Sequence, residues 1–145
     1  MMYIPVYKVQ LVRERTLIVP EKHVYSPAIA YNILNQYLQG VDREYFVCLH
    51  LNTKLYVIGI ETVSVGTLDT SLVHPREVFK AAILNNAASI ILGHNHPSGN
   101  PYYSKEDYAL TNRMVEAGKI LGIEVVDHVI VGDNCYFSFK EERLI

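Results

Sequence analysis

Gly93-His94-Asn95-His96-Pro97-Ser98-Gly99-Asn100-Pro101-Tyr102-Tyr103-Ser104-Lys105-Glu106-Asp107 is the stretch on which the reading of this chain turns. The apolar run Ala88-Ser89-Ile90-Ile91-Leu92 leads into it with the pattern of a buried strand. Alternate side chains of a strand share a face, so His94 and His96 project the same way. Gly99 and Pro101 force a turn, and Ser104 opens a helix with the Ser-x-x-acid form of a capping box, Ser104-Lys105-Glu106-Asp107. Asp107 then stands in the first helical turn, and two imidazoles and a carboxylate are directed at one point. Three protein ligands leave a tetrahedral Zn²⁺ a fourth position for water, the arrangement of catalytic zinc sites. The pattern is that of a metal-hydrolase site.

Working outward, the elements on either side alternate between strand and helix. Upstream, His74-Pro75-Arg76-Glu77 starts a helix with Val78, Phe79, Ala82 and Ile83 facing inward. Before it, a short loop from Gly66 to Val73 follows Leu55 to Val65, an antiparallel partner of the doubly apolar strand Glu44-Tyr45-Phe46-Val47-Cys48-Leu49-His50-Leu51. Earlier still, Ser26-Pro27 opens a helix carrying Ala30, Ile33, Leu34, Tyr37 and Leu38 until Gly40 stops it. At the start, Tyr7, Val9 and Leu11 alternate with Lys8 and Gln10 as a half-exposed edge strand, which Thr16-Leu17-Ile18-Val19 extends or pairs with. Downstream, Leu110, Met114, Ala117 and Leu121 form the core stripe of a helix ended by Gly122. Ile123 to Val131 is a strand, Gly132-Asp133-Asn134 a turn, and Tyr136 to Phe139 a last strand. The class is α/β, a mixed sheet with about three helices and at least one antiparallel hairpin, in a single domain over residues 1–145.

Composition narrows the function classes. The chain has 145 residues, half of them hydrophobic and 19% charged, which suits a folded core and not a disordered segment. A formal charge of −2 argues against tight nucleic-acid binding, which needs clustered Lys and Arg. The main basic concentration, Lys8, Arg13 and Arg15, is interrupted by Glu14 and reads as a solvated strand edge. No run approaches the roughly 18 apolar residues of a membrane span, and no signal peptide is visible. Two distant cysteines, Cys48 and Cys135, show no pairing pattern and fit a reducing cytoplasm, with no membrane involvement.

A His-x-His pair is by itself a weak motif, and its alternative is a strand end bearing two half-exposed histidines beside an ordinary capping box. The wider pattern carries a resemblance. His94-x-His96, seven intervening residues, Ser104, two more and Asp107 resembles the JAMM motif of JAB/MPN-type zinc metallopeptidases. The longer form, His94-Asn95-His96-Pro97-Ser98-Gly99-x-Pro101-x-x-Ser104-x-x-Asp107, is similar to the RadC branch of that superfamily. So are His74-Pro75-Arg76-Glu77-Val78-Phe79-Lys80 and Asp127-His128-Val129-Ile130-Val131-Gly132-Asp133, and the resemblance runs from about Glu44 to Asp133. It implies a cytidine-deaminase-like fold, a curved mixed sheet between helices with zinc at its edge.

The resemblance implies His94, His96 and Asp107 as zinc ligands and Ser104 as a hydrogen-bonding group that stabilises an oxyanion. A hydroxyl cap on the helix is compatible with the same serine. It also implies a glutamate that moves the proton of the zinc-bound water, and Glu44 occupies that place at the start of its strand. The alternative for Glu44 is a solvated strand-end residue, and Glu61 is the second candidate for the base. Glu77 is read as stabilising a helix N-terminus and Glu106 as pointing away from the site. An Asp127–His128 pair could orient a ligand, against the alternative of a strand histidine satisfied by neighbours. His74 is read as a helix start, and His23 and His50 have no partner legible in the sequence.

The implied activity is hydrolysis of an amide bond, peptide or isopeptide, in a peptide or protein substrate. Two other readings stand beside it: a DNA-repair-associated accessory protein, and a zinc-binding scaffold without turnover. RadC-branch proteins often carry an N-terminal helix-hairpin-helix module, and residues 1–43 are not expected to form one. Cytidine deamination is disfavoured because its Pro-Cys-x-x-Cys metal signature is lacking.

Overall fold

A computed structural model describes residues 1–66 and 73–145. Along the chain run α1 (Pro27–Tyr37), β1 (Tyr45–Leu51), β2 (Val57–Val65), α2 (Pro75–Leu84), β3 (Ser89–Asn95), α3 (Lys105–Leu121), β4 (Glu124–Val131) and β5 (Tyr136–Ser138). The sheet has the order β2-β1-β3-β4-β5, with β3 and β4 parallel and the other neighbours antiparallel. This is the α/β mixed sheet that the alternation of elements predicts. The loop expected after Gly66 lies largely outside the described residues.

Helices cover both faces, which is why β1 and β3 are apolar throughout. On one face, Val78, Phe79 and Ala82 of α2 and Leu110 and Met114 of α3 meet Phe46, Cys48, Ile90 and Leu92. On the other, Ala30, Ile33 and Leu34 of α1 meet Val47, Leu49, Ile91 and Val129. Gly93 of β3 lies against Leu34 of α1. A Cβ there would stand 2.5 Å from Leu34 Cδ2, so only glycine admits this packing. The next residue, His94, therefore turns to the α2/α3 side.

Three expectations need correction. Residues 1–19 form no regular element and are almost entirely exposed, although Tyr7, Val9 and Leu11 alternate as a strand would. Alternation describes a face, but a strand also needs an edge to pair with. The chain first meets β2 at Lys22–Val24, through a His23–Tyr56 bridge and a 2.9 Å bond from the Val57 amide to the Lys22 carbonyl. The inward face of α2 takes Ala81 in place of Ile83, which is exposed. The buried line of α3 runs Asp107, Leu110, Thr111, Met114, Gly118, not on to Leu121. Gly118 sits so near the Ile123 carbonyl, which leads into β4, that a Cβ would come to 2.4 Å.

Candidate metal centre

Strand β3 ends at Asn95, and the backbone of His96 continues its pairing with β4 through a 2.9 Å bond to the Val131 carbonyl. The following turn closes with the Gly99 amide on the His96 carbonyl. It docks on the β4–β5 connection through the Asp133 amide and the Gly99 carbonyl. The chain is thus returned to start α3 directly beside the two histidines. Ser104 caps that helix reciprocally: its hydroxyl accepts from the Asp107 amide at 3.0 Å, and its amide donates to Asp107 Oδ2 at 2.9 Å.

At this junction His94 Nε2 lies 3.2 Å from Asp107 Oδ1, His96 Nε2 lies 3.2 Å from Asp107 Oδ2, and the two Nε2 atoms are 3.0 Å apart. Asp107 and His94 are buried, and the His96 side chain keeps 14% exposure, which opens the group on one side only. His96 Nδ1 is 2.8 Å from the Asn100 carbonyl. A carbonyl only accepts, so Nδ1 carries the hydrogen and, in the neutral imidazole, Nε2 presents its lone pair to the centre. Lone pairs and a carboxylate packed this closely fit a metal cation between them.

The electrostatics agree. Burial opposes ionisation of Asp107, but its close contacts with His94 and His96 outweigh it and hold the carboxyl well below its usual range. For His96 the Asp107 carboxylate raises the pKa, with burial opposing. For His94, wholly enclosed, burial lowers it, and Asp107 only partly compensates. The cluster favours positive charge at its mouth and a neutral imidazole at its floor.

Glu44 stands just before β1. The Phe46–His94 pairing sets the start of β1 against the end of β3, and the negative charge of Glu44 acts on both imidazoles. An open cleft of about 540 Å³ is lined by Asp42, Arg43, Glu44, Gly66 and Pro97. Glu61 lies elsewhere, opposite Cys48 and among the charges of Lys80 and Glu77. Burial raises its carboxyl pKa, Lys80 opposing and Glu77 adding. Of the two glutamates, Glu44 is the one whose charge acts on both imidazoles.

Asn95 gains a place that its spacing did not announce, and His128 takes a partner other than the Asp127 weighed for it in the sequence. Asn95, between the histidines and turned to the opposite side, accepts from the Tyr45 amide at 2.8 Å and donates to the Arg43 carbonyl at 2.9 Å, gripping the chain on both sides of Glu44. His128 lies 2.8 Å from His94 Nδ1 through its Nε2. Of the two sequence readings, the Asp127–His128 side-chain pair is not formed, and His128 is a strand histidine satisfied by its neighbours. Asp127 instead accepts from Ser138 Oγ and from the amides of His128 and Lys140. A bulge decides this: Ile90 pairs with Val125 but Ile91 with Asp127, so Val126 is an extra residue that puts His128 on the His94 face. An asparagine with its polar ends spoken for is invisible to spacing rules; its position between two candidate ligands was the one signal.

A family model described as the RadC-like JAB domain matches residues 24–144. The chain belongs to this family. Among relatives, a UPF0758 protein of Desulforamulus reducens is 53% identical over 122 residues, covering 84% of this chain and 54% of the relative. A UPF0758 protein of Methanosarcina mazei is 44% identical over 126 residues, covering 87% of this chain and 55% of the relative. One of Methanococcoides burtonii is 48% identical over 126 residues, with the same shares covered. The chain spans about half the length of these relatives. Within the RadC-like JAB fold, the His94–His96–Asp107 group is one that could hold a metal ion, its ligand atoms lying within 4.8 Å of one another. Among the described residues no helix is long and apolar enough to cross a membrane.

Proposed function

We propose that this RadC-like JAB domain is a zinc-dependent hydrolase of amide bonds, peptide or isopeptide. The observation that carries the reading is the convergence of His94 Nε2, His96 Nε2 and the Asp107 carboxylate, at a mouth where the charge of Glu44 is felt. Zinc held by these three would polarise a carbonyl and lower the pKa of a water to ~7. Glu44 takes the proton of the attacking water and delivers it to the departing amine. The Ser104 hydroxyl accepts from the Asp107 amide and keeps its own hydrogen, which it donates to the developing oxyanion. Cys48 is no rival nucleophile, being fully buried with its thiol pKa pushed up by burial and by Glu61. The two unpaired cysteines fit a reducing compartment, the cytoplasm.

The test is metal analysis of the purified chain together with cleavage of a peptide library, on the parent, His96→Ala and Glu44→Gln. The parent is expected to hold zinc and cleave, and His96→Ala to lose both. Glu44→Gln should keep zinc while losing roughly 10²–10⁴-fold in turnover. Zinc without cleavage would make the chain a scaffold. Full turnover in Glu44→Gln would move the base elsewhere, with Glu61→Gln the next variant. Tight DNA binding that weakens steeply with salt would favour the accessory-protein reading.

A further inference from the structure

We propose that His128 and Thr111 are positioning residues of the metal centre, fixing the tautomer of His94 and tying it to the helix that carries Asp107. This rests on the reading of His94, His96 and Asp107 as ligands. The direction of the chain of hydrogen bonds follows from its far end. The Asp107 carbonyl can only accept, so the Thr111 hydroxyl, 2.6 Å away, donates its one hydrogen there. Thr111 Oγ1 then accepts at its other contact, 2.5 Å to His128 Nδ1, and that nitrogen carries a hydrogen. His128 is wholly buried, stacked on Phe139 with ring centroids 4.9 Å apart and edge-on to Phe46. In such a setting the imidazole is neutral, with a single N–H. His128 Nε2 is therefore an acceptor, and His94 Nδ1, 2.8 Å from it, is the donor. With its only hydrogen on Nδ1, His94 turns the Nε2 lone pair toward His96 and Asp107, as a ligand must.

The relay runs from the side chain of one ligand to the main chain of another. It crosses from β3 to β4 to α3, so the tautomer and the distance between His94 and Asp107 are set together. A hydroxyl is needed at position 111 because the site requires one atom that donates and accepts. Valine has the same shape and can do neither.

The experiment uses the parent chain, Thr111→Val and Thr111→Ser. Long-range ¹H–¹⁵N spectra of the metal-free and zinc-loaded parent are expected to show His94 and His128 each protonated at Nδ1. Competition with a chromophoric chelator is expected to show zinc affinity about 10–100-fold weaker in Thr111→Val and largely recovered in Thr111→Ser, with circular dichroism unchanged. A hydrogen on Nε2 of either imidazole overturns the proposal, and so does a folded Thr111→Val that binds zinc as tightly as the parent. The tautomers are read on the unmodified chain, so they decide even if the valine variant does not fold. A parent that takes up no zinc would overturn the hydrolase reading instead, and the metal-free tautomers would still judge the relay.

Discussion

Asn95 and Tyr45 stand 50 residues apart in the chain and are joined by a 2.8 Å hydrogen bond from the Tyr45 amide to Asn95 Oδ1. The same carboxamide donates to the Arg43 carbonyl, so the backbone around Glu44 is held from a residue lying between the two histidines. Asn95→Ala leaves a part-buried amide and a carbonyl without this partner, and a loss of about 1–3 kcal/mol in urea unfolding is expected. Turnover should fall further than zinc affinity, since Glu44, the proposed base, is displaced while the proposed ligands are not. Equal losses of zinc affinity and turnover would count against this division.

Ser104 is expected to serve both stability and chemistry, and two variants separate them. Ser104→Ala removes a helix cap and should cost about 1 kcal/mol, whereas Ser104→Gly should cost only a few tenths. Both lose the hydroxyl donor, so both should lose on the order of 10² in amide hydrolysis. A glycine variant with full turnover would leave Ser104 as a cap alone.

Gly93 and Leu34 share a space that one added methyl overfills. Gly93→Ala is expected to destabilise the chain by about 1–3 kcal/mol, by driving α1 off the sheet next to His94. In the double variant Gly93→Ala, Leu34→Ala the loss should be smaller than the sum of the two single losses, because the second substitution vacates the space that the first invades. Strict additivity in equilibrium unfolding would show that the alanine is accommodated elsewhere.

His50 makes stability depend on pH from a point remote from the metal group. Burial lowers its pKa from the ordinary 6.5 to about 4. Its Nδ1 accepts from Asn85 Nδ2 at 3.0 Å, so a second proton there would face a donor, and Nε2 has no partner among the described residues. The neutral form is the one the fold prefers. Its contribution is therefore complete above pH 6.5 and is lost as the pH falls toward 4, to a total of roughly 3 kcal/mol. Urea unfolding of the parent and His50→Leu between pH 7 and 4 should show the parent losing the additional stability. Parallel pH profiles would refute it.

Much of this protein is written locally. The apolar runs of β1 and β3, the proline and serine that open α1 and α3, and the Gly122 that closes α3 are properties of neighbouring residues, and they place these elements correctly. The spacing of His94, His96 and Asp107 belongs with them: strand alternation, a short turn and a capping box are enough to bring the three together. The N-terminal alternation misleads for the complementary reason, since Tyr7, Val9 and Leu11 carry a strand pattern with no paired edge to complete it.

What only the tertiary structure decided is which residues meet from different parts of the chain. The start of β1, and with it the charge of Glu44, lies beside the histidines because Phe46 pairs with His94, which is a matter of register. His128 rather than Asp127 reaches His94 because Val126 adds one residue to β4, and a shift of one residue exchanges the faces of a strand. Thr111, outside the expected apolar stripe, lies on the buried line of α3, where its hydroxyl meets His128 of β4. Periodicity fixes what a segment is, through interactions between residues a few positions apart. Register and bulges fix what it touches, through contacts that close only when the whole sheet has formed.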